Sequence, residues 1–120
     1  MEIHTEKTRK IEKPWGYELI YAHTEKYVGK ILFVKQGHRL SLQYHKDKDE
    51  TIYVLEGQIE LQVGTTEREL AAATLFTGES IRLKPFTLHR IKALVDTTLL
   101  EASTSELTDV VRLEDDYGRA

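Results

Sequence analysis

Hydrophobic and polar residues alternate along most of this chain, in short runs separated by glycine, threonine and charged clusters. The clearest case is His38 to His45. Leu40, Leu42 and Tyr44 fall on one side, while Arg39, Ser41, Gln43 and His45 fall on the other. A period of two predicts a strand. Trp15 to Tyr21 and Tyr27 to Lys35, rich in aromatic and branched residues, predict two earlier strands. Glu50 to Glu56 predicts another, and Gly57-Gln58 is a hairpin signal into Ile59, Leu61 and Val63. Beyond the turn at Gly64-Thr65-Thr66, Arg68 to Phe76 leaves two readings open. Leu70-Ala71-Ala72-Ala73 has helix propensity, yet so short a run between turns fits a strand equally well. Ser80 to Leu83, Leu88 to Val95 and Thr97 to Ala102 complete the series. Roughly eight or nine strands at about ten-residue spacing predict an all-β sandwich or barrel. After Ser103 the style changes, and Ser103-Thr104-Ser105-Glu106 has the capping-box spacing of a short C-terminal helix or tail. The expected organisation is an N-terminal arm over 1–12 and a single barrel domain over 13–120.

Composition narrows the function classes. A length of 120 residues suits one core. Seventeen Lys and Arg against twenty Asp and Glu give a net charge of −3, which excludes the basic surface of a nucleic-acid binder and a polybasic membrane patch. The absence of cysteine removes disulfides, thiolate metal sites and thiol nucleophiles. Any metal must therefore use His, carboxylate or amide ligands, and five histidines are present. The charged start Met1-Glu2-Ile3-His4 carries no apolar signal-peptide core, and no run approaches the ~18–20 residues of a membrane span. Cytoplasmic residence is the expectation.

Gln43 and His45, at i and i+2, leave the same strand face. Glu50 opens the next predicted strand past Lys46-Asp47-Lys48-Asp49, and a hairpin returns it toward His45. His89 follows the Lys84-Pro85-Phe86-Thr87 corner. Two imidazoles, a carboxylate and an amide oxygen form a hard-to-borderline ligand set for a divalent ion. Zinc is the first expectation, with manganese, iron, cobalt and nickel also compatible. His4, His23 and His38 lie in a tail, a loop and a turn, and read as surface residues.

Gly37, Gln43-Tyr44-His45, Glu50 and Gly57 together resemble the first signature of the cupin superfamily, with Gln43 in place of its usual first histidine. Gly78 followed by Lys84-Pro85-Phe86-Thr87-Leu88-His89 resembles the second, with lysine at the usual proline and phenylalanine at the usual glycine. The run His38 to His45 is similar to the metal-binding strand of mannose-6-phosphate isomerase cupins, above all the C-terminal domain of the type II, bifunctional isomerase/guanylyltransferase form. Lys13-Pro14-Trp15-Gly16 resembles that domain's opening, and Val110 to Arg119 its close. The resemblance implies a double-stranded β-helix (a jelly-roll-like barrel). It does not imply nucleotidyl transfer.

By the same resemblance, Gln43, His45, Glu50 and His89 are the metal ligands, and the reaction is aldose–ketose isomerisation of a sugar phosphate such as mannose 6-phosphate. In that chemistry a metal polarises oxygens and stabilises an enediolate while a base moves a proton between C1 and C2. Glu101 is the candidate base, with Asp115 and Asp116 as alternatives from the tail. Lys84, Arg90 and Arg112 are candidates for holding the phosphate, although strand alternation turns Arg90 away from His89. Arg112 has a second candidate role in neutralising the enediolate. Trp15 and Tyr17 share a strand face and read first as packing. Two other functions fit the generic cupin signature: an iron-dependent oxygenase and a non-catalytic carbohydrate-binding or sensor module. The expected partners are a small sugar or sugar phosphate and a second copy of the chain in a homodimer. The short chain leaves the barrel without an evident lid.

Overall fold

A computed structural model describes all 120 residues as eleven β-strands and no helix. In chain order these are β1 (Arg9–Lys13), β2 (Gly16–His23), β3 (Val28–Val34), β4 (Leu42–Tyr44), β5 (Glu50–Glu56), β6 (Gln58–Gly64), β7 (Leu70–Phe76), β8 (Ser80–Leu83), β9 (Leu88–Ala93), β10 (Thr97–Ser103) and β11 (Val111–Glu114). They form a six-stranded sheet, β1-β2-β3-β10-β5-β8, facing a five-stranded sheet, β11-β4-β9-β6-β7. Every ladder is antiparallel. β10 returns between β3 and β5, and β9 between β4 and β6, so the chain crosses repeatedly from one sheet to the other. This is the double-stranded β-helix implied by the signatures.

Alternation along each strand sends one set of side chains between the sheets. Leu32 and Val34 of β3, Ile52 and Val54 of β5, Ile59 and Leu61 of β6, and Leu99 of β10 form the core with Trp15, Leu75, Leu83, Ile91 and Ala93. At Gly57 the β5–β6 hairpin turns with φ of 122°, and a Cβ there would lie 2.4 Å from Thr97 Oγ1. Only glycine fits that left-handed turn against a buried threonine.

Four expectations meet local differences. The predicted strand over His38 to His45 shortens to β4, with Arg39 making an isolated bridge to Lys92. The segment from Arg68 resolves as strand, because Ala71, Ala72 and Ala73 pair with Val63, Gln62 and Leu61. Residues 9–12 of the expected arm form most of β1 and pair with β2. The C-terminal helix is a correction. Thr104 Oγ1 accepts the Asp49 N–H at 3.0 Å, and its own N–H donates to the Asp49 carbonyl at 3.0 Å. Ser103, the expected N-cap, is instead the last residue of β10, paired with Val28 and Glu50, and its Oγ donates to the Thr104 carbonyl at 3.0 Å, so the tail runs on as an extended strap into β11. No helix of the chain is long and apolar enough to cross a membrane.

Candidate metal centre

β4, β5 and β9 bring three ligand-type side chains to one place inside the barrel. His45 directly follows β4, Glu50 opens β5, and His89 is the second residue of β9. One ligand atom from each lies within 4.8 Å of the others, and all three side chains are buried. His45 Nε2 and His89 Nε2 stand 3.6 Å and 3.4 Å from Glu50 Oε1. Gln43 pairs with His89 across the β4–β9 ladder, and its Nε2 lies 3.4 Å from His89 Nε2. The four residues named from sequence therefore meet.

Their surroundings fix which atoms face the centre. His45 Nδ1 bonds to the carbonyl oxygen of Asp109, and His89 Nδ1 to that of Thr87 at 3.0 Å. A carbonyl accepts only, so each Nδ1 carries the proton and each Nε2 presents a lone pair inward. His45 Nε2 is a buried nitrogen with no hydrogen-bond partner. Such an orphaned acceptor beside a carboxylate suits a cation. Ser41 Oγ donates to Gln43 Oε1 at 2.7 Å, and a hydroxyl can also accept from Nε2 when the amide is turned. The set of two imidazole nitrogens, a carboxylate and an amide thus fits a divalent first-row ion.

A run of buried charges continues away from the centre. Lys48 Nζ lies 2.8 Å from Glu50 Oε2 and 3.1 Å from Glu101 Oε2, as ion contacts whose angles fall short of hydrogen bonds. Lys30 Nζ follows at 4.0 Å from Glu101 and 3.4 Å from Glu18, and Lys13 Nζ at 3.6 Å from Glu18. Burial pushes the Glu50 carboxyl up, but His45 and His89, which donate to it from Nε2 when the centre holds protons in place of a cation, and then Lys48, hold it well below the usual range. Glu101 goes the other way. Burial, and then the Glu50 charge, raise it above the ordinary carboxylate value against the pull of Lys48 and Lys30. Burial pulls the Lys48 ammonium down, yet Glu101 and Glu50 leave it above its ordinary value.

Lys13, Glu18, Lys30, Lys48 and Glu101 of this run line a cavity of about 110 Å³. Trp15, Glu18, Lys30, Gln43, His45, Lys48 and Glu101 form its walls, and Leu107, Asp109, Val110, Arg112 and Arg119 of the C-terminal strap cover it. The strap supplies the lid missing from the sequence reading. β11 pairs with β4, placing Arg112 opposite Gln43. Asp109 accepts the backbone N–H groups of Lys46, Asp47 and Lys48 at 3.2, 2.7 and 3.0 Å, clamping the loop before β5. Arg112 has no carboxylate within ion-pair distance, and its buried Nε has no partner. Arg119 is held in a fork by Asp115, with bonds of 2.9 and 2.8 Å.

The other candidates lie elsewhere. Lys84 is exposed and does not line the cavity. Arg90 is buried on the outer face of the second sheet. There it donates to the Leu40 carbonyl at 2.9 Å, Glu114 at 3.3 Å and Asp116 at 3.2 Å, pinning the strap from behind. Asp116 is taken by Arg39 as well. The sequence reading missed Lys48, Lys30 and Glu18. Lys30 and Glu18 were detectable in principle, since they fall in phase with the core positions Val28, Leu32 and Val34 and with Ile20.

The family described as mannose-6-phosphate isomerase C-terminal matches residues 2–115. Among solved structures, the chain is similar to the capsular polysaccharide assembling protein CapF from Staphylococcus aureus, with 16% identity and a TM-score of 0.75 over 90% of this chain and 34% of that one. It is similar to KdgF from Halomonas sp. at 19% identity and a TM-score of 0.69, covering 86% and 89% of the two chains. An oxalate decarboxylase of Bacillus subtilis gives 17% identity and a TM-score of 0.75 over 88% and 30%. At these identities the likeness is one of fold. The chain spans about a third of the length of the CapF and oxalate decarboxylase chains. No curated protein matches it by sequence.

Proposed function

Because the chain belongs to the mannose-6-phosphate isomerase C-terminal family, within the cupins, we propose that it is a metal-dependent isomerase of sugar phosphates. Mannose 6-phosphate and fructose 6-phosphate are the leading pair. The observation that carries the proposal is a cavity lined by Gln43 and His45 of the metal-type ligand set, by Glu101, a buried carboxyl with a raised proton affinity, and by Arg112, an unpaired arginine.

A divalent ion held by Gln43, His45, Glu50 and His89, with zinc the first choice, would supply Lewis acidity toward the sugar's carbonyl and hydroxyl oxygens. Glu101 is the proposed base. Its Oε2 has no hydrogen-bond partner, and its raised proton affinity suits a group that takes a proton from one carbon and returns it to the next. Lys48 holds that carboxylate from one side through a contact shared with Glu50. Arg112 offers the cation for the substrate anion, because Lys84 and Arg90 point elsewhere. The strap residues Leu107 and Val110 set apolar surface beside that cavity, which would limit water around the proton transfer. The homodimer belongs to the same proposal. Its support is β7, an edge strand free of charged residues that leaves Ala71, Ala72, Ala73 and Phe76 exposed.

The test is a coupled assay of the metal-loaded protein with mannose 6-phosphate and fructose 6-phosphate, run in deuterated water. Interconversion with deuterium entering at C1 or C2 is the expected result. Silence with these and other sugar phosphates, in zinc, manganese, iron and cobalt forms, overturns the reading. Oxygen uptake by the iron form would point to the oxygenase alternative instead.

A further inference from the structure

Two charged residues on the inner wall have no part in the chemistry so far. Glu18 of β2 and Lys30 of β3 point between the sheets, 8% and 6% exposed, among Ile20, Val28, Leu32 and Val34. Ions placed in a core cost several kcal/mol each unless tightly paired. These two are not. Lys30 Nζ makes one long bond of 3.4 Å to Glu18 Oε2 and stands 4.0 Å from Glu101. The other Glu18 oxygen has only Lys13, at 3.6 Å. Charge-assisted bonds ordinarily close to about 2.7–2.9 Å. The neighbouring Lys48–Glu50 ion contact closes to 2.8 Å, a distance that Lys30 and Glu18 do not reach.

Lys30 therefore keeps donors, and Glu18 keeps lone pairs, directed at a cavity that both line beside Trp15. An underused carboxylate next to an underused ammonium matches the hydroxyl groups of a sugar chain. The carboxylate accepts from one O–H, the ammonium donates to an adjacent oxygen, and the indole faces C–H groups. We infer that Glu18 and Lys30, with Trp15, form a polyol-reading subsite that sets which hydroxyl pattern the cavity accepts beyond the reacting carbons. The inference rests on the sugar-phosphate reading above.

The probes are hexitol 6-phosphates, which have no carbonyl to isomerise, and their 3-deoxy and 4-deoxy analogues, titrated calorimetrically into the zinc-loaded protein. Loss of the hydroxyl that meets Glu18 or Lys30 should weaken binding about 10- to 100-fold. Glu18→Gln, nearly isosteric, should flatten that discrimination while metal content and melting temperature stay near those of the parent. Lys30→Gln serves as the second variant. The inference is overturned if the parent protein does not distinguish the deoxy probes, if it binds none of them, or if both variants discriminate as the parent does. Discriminating binding without any isomerisation would remove the proposed reaction and keep the subsite. Isomerisation with an unchanged KM in Glu18→Gln would do the reverse.

Discussion

The Nδ1 of His45 bonds to the backbone carbonyl of Asp109, a residue 64 positions later in the chain. One residue of the strap thus sets the tautomer of a metal-type ligand, and through its side chain clamps the loop that leads to Glu50. Asp109→Ala removes three amide partners and frees the carbonyl to drift. The expected result is a fall in zinc affinity of about 10- to 100-fold, measured by competition with a chromophoric chelator, with the fold retained. Unchanged affinity would show that the strap is not what orients His45.

Removing a ligand acts more directly. His45→Ala and His89→Ala should abolish metal retention, and each should leave the circular dichroism of the barrel intact, because Ile52, Leu61 and Leu99 hold the core independently. Zinc at 100 times its dissociation constant adds about 2.7 kcal/mol to the stability of the parent protein. A chelator should reverse that gain in the parent and change neither variant. Thermal melting with and without metal checks both statements.

Lys48 separates two buried carboxylates. Lys48→Met leaves Glu50 and Glu101 facing one another without it, and the expected loss of stability in the metal-free protein is about 3–5 kcal/mol. Adding Glu101→Leu to the same chain removes one of the opposed charges and should restore most of that loss. Urea denaturation of the two variants decides it, since equal instability would rule out the charge explanation.

Acid should release the strap before it melts the barrel. Asp115 is held down to about 2 by the Arg119 fork, Asp109 is lowered by the Asp47, Lys48 and Lys46 amides, and Asp116 by Arg39. A carboxyl lowered on folding binds fewer protons in the folded state, so its contribution is complete above its unfolded value near 3.8. That contribution is lost as pH falls from about 4 toward 2. Hydrogen exchange at residues 109–119 should accelerate across that window ahead of exchange in β3 and β10. Simultaneous acceleration would refute the order.

Phe86 occupies the place where the resembling motif has glycine, and its φ of 64° lies in the left-handed region. It is held there by an N–H bond to the His45 carbonyl at 2.7 Å and by stacking on Tyr44 at 6.0 Å. Phe86→Gly removes a backbone penalty of about 1 kcal/mol and a stacking gain of about the same size, so stability should change little. Phe86→Val raises the penalty, because a β-branched residue tolerates positive φ poorly, and also loses the ring, so it should cost about 2 kcal/mol by denaturant titration.

Much of this architecture was legible along the chain. Period two marked the strands because each has one face against the other sheet, and Gln43, His45, Glu50 and His89 were legible from their spacing and resemblance. Lys48 was hidden inside Lys46-Asp47-Lys48-Asp49, which reads as a solvated turn. Its burial depends on Glu101, which β10 brings alongside β5 across about half the chain. Arg90 was correctly turned away from His89, yet its burial depends on Glu114 and Asp116 folding back over the second sheet. Long-range pairings of this kind leave no local trace. The helix expected after Ser103 failed for the same reason, since Ser103 pairs with Val28 and Glu50 in the sheet and the Thr104 backbone bonds to Asp49.

The strap also bears on the order of assembly. All four metal-type ligands lie before residue 90, but the roof over them comes from residues 107–119 and docks by pairing β11 with β4. β11 has no strand to pair with until β4 is in place at the edge of its sheet. The ligands can therefore gather at an open, wet barrel mouth, which the docked strap then narrows. Access to the four ligands is in this way coupled to docking of the strap.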